Sequence, residues 1–113
     1  QTREPHMADP VFIIAQDFGT IGVEWIAHPE HTRRNIIELI AAGEWPDMVK
    51  VLEVREDENS CRDVTEEIAR EVLAFKLEDD FGNMAPCVRD FIEGQIGCSE
   101  FAEATAPYRM AAE

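Results

Sequence analysis

Apolar residues recur along this chain at two periods. Val11-Phe12-Ile13-Ile14 is a short β-prone run, and Ile21, Val23 and Trp25 alternate with Gly22, Glu24 and Ile26. Asp17-Phe18-Gly19-Thr20 between them reads as a turn. Length and β-branching favour two short strands over residues 11–27, with a helix opening on Pro10 as the rival reading. Residues 48–55 form a second β-rich run, with Val49 and Val51 on one face and Leu52 and Val54 on the other. Asp57-Glu58-Asn59-Ser60 supplies a turn, from which Cys61-Arg62 can return as a hairpin.

Elsewhere the period lengthens to that of a helix. Over 32–42, Ile36, Leu39 and Ile40 keep helical spacing behind a Thr32 cap, and Gly43 and Pro46 mark the stop. Trp45 in the following connection is expected to fold back over the helix end. The strongest pattern is 63–78, where Val64, Ile68, Val72 and Phe75 form one stripe, widened by Ala69, Leu73 and Leu77. So broad a face implies a central helix packed on two sides. Asp63 with Glu66 has the spacing of a capping box. Pro86 opens a third helix, which carries Val88, Phe91, Ile92 and Ile96 and ends at Gly97. A short last helix capped by Ser99 is expected to end at Pro107, with residues 107–113 frayed.

These elements predict one α-dominated α+β domain, with three to four helices and a small antiparallel sheet. An all-α bundle is the alternative. The 113 residues suit a single core. Residues 1–6 read as a leader left by cloning, because His6-Met7 matches a common junction, so the domain is expected over 7–113.

Charge narrows the partners. Lys and Arg number 10 against 24 Asp and Glu, a net −14 that stays −14 without residues 1–6. The excess is uneven, −5 over residues 1–56 and −9 over 57–113. Such acidity opposes binding to nucleic acid or anionic membranes, both of which need clustered cations. No apolar run approaches the ~18 residues of a membrane-spanning helix. Cys61, Cys87 and Cys98 are an odd number with no Cys-x-x-Cys pair. Small, buried, reduced thiols in a cytoplasmic protein are the simplest reading.

Candidate chemistry is sparse. His28-Pro29-Glu30-His31 offers two imidazoles and a carboxylate, which makes His28 and His31 the candidate metal ligands. Their spacing of three departs from the i, i+4 pairing of helical zinc sites, so completion is expected to need Asp17, Glu24 or Cys98. Cys98, His31 and Asp17 are the residues from which a Cys/His hydrolase would have to be built. The segment from Asp57 lacks the glycine and the final carboxylate of a calcium loop. Asp-Phe-Gly occurs twice, without the other motifs of a kinase. Arg33-Arg34, the only adjacent basic pair, is expected to pair locally with Glu30 or Glu38, or to meet an acidic partner. Trp25 and Trp45 are the candidate anchors for a protein partner.

No catalytic residue and no cofactor is assigned. The expected function is a small cytoplasmic protein-interaction or regulatory module, monomeric or weakly dimeric, whose protein partner is basic if charge decides. An acidic mimic of nucleic acid, seated on a basic protein surface, is one alternative. A small metal-binding or Cys/His enzyme is the other.

Overall fold

Two hairpins build the sheet. The computed structural model describes residues 9–79 and 81–112, with side chains as far as Tyr108; the expected leader over 1–6 lies outside them. β1 (Val11–Asp17) and β2 (Val23–His28) form the first hairpin, joined through a 3-10 turn at Gly19–Ile21. Asp17 shapes that turn by accepting the Gly19 N–H at 2.9 Å. β3 (Met48–Arg55) and β4 (Ser60–Asp63) form the second. β1 pairs with β3, so the antiparallel strands lie in the order β2-β1-β3-β4, with β2 and β4 at the edges.

Alternation gives this sheet two unlike faces. Phe12, Ile14 and Val51 point to one side, are fully buried, and join the main core. α1 (Arg33–Ala41), α2 (Thr65–Glu78), α3 (Pro86–Ile96) and α4 (Cys98–Ala112) supply the rest of that core, through residues such as Ile36, Ile68, Val72, Ile92 and Phe101. The α+β expectation with a central second helix holds, since α2 packs on α1, α3 and β3.

Local rules explain most boundaries. Thr32 accepts the Asn35 N–H at 3.1 Å while Asn35 accepts the Thr32 N–H, a complete capping box at the start of α1. Its end is a Schellman motif, with Gly43 N–H on the Ile40 carbonyl and Glu44 N–H on the Leu39 carbonyl. Gly43 has φ +80°, a left-handed geometry in which a side chain is strained.

Four local expectations change. Val49 does not share a face with Val51, because a bulge against Ala15 and Gln16 leaves it without a cross-strand partner and half-exposed, and turns Met48 inward instead. α2 begins at Thr65, and Asp63 acts from β4 rather than as a capping-box partner of Glu66. Its Oδ1 accepts the Thr65 N–H at 3.0 Å and the Thr65 hydroxyl at 2.5 Å. α4 runs through Pro107 instead of stopping there. Alanine-rich flanks favour the helix, and the Phe81–Tyr108 ring contact holds it beyond the proline. Finally, Cys61 and Cys98 are exposed rather than buried.

Glu53 is the one acid fully enclosed among the described residues, 2% exposed on the helix-facing side of β3. Arg62 Nη2 reaches its Oε1 at 3.0 Å, and Arg55 and Arg33 reach Oε2 at 3.4 and 3.5 Å. Arg33 continues to Glu71 at 2.5 Å and Glu67 at 3.2 Å, and Arg62 also meets Glu67 at 3.1 Å. One ionic lattice therefore joins β3, β4, α1 and α2. Arg33 is held above its ordinary pKa, chiefly by its hydrogen bond to Glu71.

Two stability measurements follow. Arg33→Leu should cost about 2 kcal/mol in urea unfolding, less than the ~3–5 for a wholly orphaned buried charge, because Arg55 and Arg62 still face Glu53. Glu53→Leu should cost less than Arg33→Leu, since Arg33 and Arg62 keep their partners on α2. The second measurement concerns acid. Thr65's hydroxyl and N–H, with Lys50 beyond them, lower the Asp63 carboxyl from 3.8 to about 2. A lowered folded-state pKa stabilises above the unfolded value and is lost as pH falls through the folded one. The Asp63 contribution should thus be complete above 3.8 and disappear toward about 2. The urea midpoint of Asp63→Asn should decline less steeply than wild type across that window.

Candidate functional site

Two surface features stand apart from the core, and both belong to β2. The first is the strand itself. It lies at the edge of the sheet, and Val23, Trp25 and Ile26 are 49%, 52% and 38% exposed, on both of its faces. Trp25 and Val23 lie on the side turned away from the core, beside Ala15 and Asp17 of β1. Ile13, Leu52 and Val54 continue this side across β1 and β3, and none of them joins the main core. The result is a sheet face rich in apolar side chains, with acids at one end: Asp17 closes β1, and its N–H bonds to the Asp47 carbonyl.

The second feature follows directly from the end of β2. His28 is its last residue and pairs with Phe12 across the sheet. A tight turn through Pro29 and Glu30 is closed by the His31 N–H on the His28 carbonyl at 3.2 Å. Thr32 then caps α1. The turn places both imidazoles on one side, stacked at 5.8 Å with 24° between their planes. Glu30 Oε2 sits between them, 3.6 Å from His28 Nδ1 and 3.5 Å from His31 Nε2. The Glu30 carboxyl is held below its usual range, chiefly by a hydrogen bond from its own backbone and then by the imidazoles.

Trp45 forms the wall behind this pair. Its ring centroid is 5.0 Å from that of His28 and 6.4 Å from that of His31. It is half-buried and packed against the core, so its body turns inward while Trp25 turns out. His28 Nε2 is the one buried side-chain nitrogen or oxygen without a hydrogen-bond partner among the described residues. A buried polar atom left unpaired costs about 1–3 kcal/mol, so this ring is held in place at some expense.

The remaining candidates lie elsewhere. His28, Glu30 and His31 are the one metal-competent group of three among the described residues, and Asp17, Glu24 and Cys98 do not join it. Cys98 begins α4, with its thiol 3.8 Å from Glu93 Oε1. Arg34 pairs with Glu38 at 2.9 Å, as local spacing suggests, and lies over the Phe75 ring at 5.1 Å. Arg33 turns into the Glu53 lattice instead of meeting Glu30. Glu53 belongs to no motif; its sequence signal is that of a lone acid in a β-rich run, on the parity of Val51. No helix among the described residues is long and apolar enough to cross a membrane. No family model matches the chain, and neither the curated proteins nor the solved structures give a match.

Proposed function

We propose that this chain is a protein-binding module that receives its partner along β2 and the adjoining sheet face turned away from the main core. The observation that carries this reading is an edge strand exposing Val23, Trp25 and Ile26 together. Edge strands in lone domains are usually blunted by charge, proline or a cover, because their free backbone groups and apolar side chains invite pairing. Over Val23–His28 the one Asp, Glu, Lys or Arg is Glu24. A large indole on such a strand is the kind of anchor that concentrates binding energy.

The partner fitting this surface is a basic protein. It brings an apolar strand or face to β2 and Trp25, and cations to Asp17, Glu24 and Asp47. A strand added alongside β2 would satisfy its outer backbone groups as well. Three free cysteines suit a reducing, cytoplasmic setting. The nucleic-acid mimic draws less support. It needs unspent stripes of carboxylate, whereas Asp63, Glu66, Glu67, Glu71, Glu93 and Glu100 are all engaged by Lys50 or arginines.

Affinity purification from the source cells tests the proposal, with wild type, Trp25→Glu and a control at exposed Glu103. A specific partner should come with wild type and Glu103→Ala, and should be released progressively as salt rises. Trp25→Glu should weaken its binding roughly thirtyfold, the ~2 kcal/mol of a hot-spot residue, with an unchanged circular dichroism spectrum. Recovery unchanged by Trp25→Glu defeats the reading. A homodimer in sedimentation velocity that Trp25→Glu dissolves would also defeat it, because the surface would then belong to a second copy.

A further inference from the structure

We infer that His28, Glu30 and His31 form a binding site for a zinc-type divalent cation at the junction of β2 and α1. The inference is independent of the role proposed for β2, since it rests on the turn and not on the exposed strand.

The donor set comes first. Two imidazole nitrogens and one carboxylate oxygen suit Zn²⁺ and its first-row neighbours, whereas Ca²⁺ and Mg²⁺ prefer oxygen alone. Geometry comes next. The three donor atoms all lie within 4.8 Å of one another. The Glu30 oxygen lies 3.6 and 3.5 Å from the two nitrogens. Ligands of a tetrahedral ion with bonds of ~2.0–2.1 Å stand roughly 3.3–3.4 Å apart, so two of the three edges are already near their bound length. Small side-chain rotations close the third.

The site is also held from several directions. Strand pairing with Phe12 fixes His28, the turn hydrogen bond fixes His31 relative to it, and the Thr32 cap fixes the chain just beyond. Trp45 lies within ring-contact distance of both imidazoles. His28 Nδ1, the ring nitrogen facing Glu30 Oε2, is the ligand atom on this side of the site. A cation would sit between His28 Nδ1, the Glu30 carboxylate and His31 Nε2, the three atoms that already face one another. Three protein ligands leave a tetrahedral ion one coordination position for water or an incoming group.

The test uses the full chain, untagged, carrying His6→Ala to remove the third histidine and Trp25→Phe so that Trp45 is the only indole. Zn²⁺ is titrated by calorimetry and by Trp45 emission in excess Mg²⁺, which saturates carboxylate-only sites. The expected result is one Zn²⁺ per chain with a matching change in Trp45 emission. His31→Ala and Glu30→Gln, both at the half-buried or exposed turn, should each weaken binding by at least the ~10–100-fold lost when a residue that merely hydrogen-bonds a metal ligand is removed. His28→Ala should do the same, with circular dichroism confirming the fold. Binding that Mg²⁺ abolishes would show only the general acidity of the surface and overturn the inference. Binding indifferent to His31→Ala would place the ion on exposed Cys61 or Cys98 and overturn it equally.

Discussion

The structure turns on one buried carboxylate. Glu53 sits on β3 opposite Phe12, among buried apolar residues such as Val51 and Ile14. A carboxylate there is tolerable only if cations reach it, because an unpaired buried charge is among the costliest groups a core can hold. Arg62 comes from β4, Arg55 from β3 itself and Arg33 from the first turn of α1. Two of those arginines then bind Glu67, and Arg33 binds Glu71, on α2. Sheet and helices thus have one mutual arrangement that satisfies every member. Apolar packing alone would tolerate sliding; directional ion pairs do not. Arg33 also illustrates how tertiary demand overrides a local rule. A cation in the first turn of a helix opposes the helix dipole, but here it faces Glu53, Glu67 and Glu71.

What could be read from the sequence was whatever depends on near neighbours. Thr32 caps and Gly43 terminates because both act over a few residues of backbone, and their spacing is sufficient warning. The stripe from Val64 through Val72 declares a central helix for the same reason. What could not be read depends on contacts between distant segments. The bulge that ejects Val49 exists only because β3 must match β1 at Ala15 and Gln16. Thr65 is held by β3, its hydroxyl accepting the Val51 N–H at 2.9 Å from far back in the chain. Pro107 carries a strong local signal to stop, yet Tyr108 beyond it finds Phe81, more than twenty residues earlier in the chain. Glu53 is intermediate. Its inward parity was visible, but the three arginines that make it acceptable come from two strands and a helix.

The histidine pair shows the same division inside the candidate site. A spacing of three departs from the i, i+4 pairing of helical zinc sites. In a tight turn, residues i and i+3 are brought face to face, and the proline that argues against a helix is what makes the turn. The residue types were therefore apparent while their geometry was not, because the meaning of a spacing depends on the backbone that carries it. Trp45 adds a contact no spacing could announce. It arrives from beyond α1, and only the reversal of the chain at Gly43 and Pro46 brings its ring against His28.

The division of labour between the two sheet faces links these observations. The Arg33 lattice and most of the apolar volume lie on the helix side, where charge is matched and packing is dense. Glu53, Arg55 and Arg62 alternate with Val54 and Cys61 along the second hairpin, so the same parity that brings the ionic residues inward turns the others outward. β2 lies one strand beyond β1, past the reach of the main helical layer, and its apolar residues remain exposed on both sides. A net charge of −14 gives the molecule a strong field, while this strand is nearly neutral and ends in the His28 turn. Repulsion between like-charged copies opposes burial of β2 against itself, and a cationic partner reverses that sign. In the proposed binding role, the acidity selects which partners approach β2, and the apolar strand determines what is gained once they do.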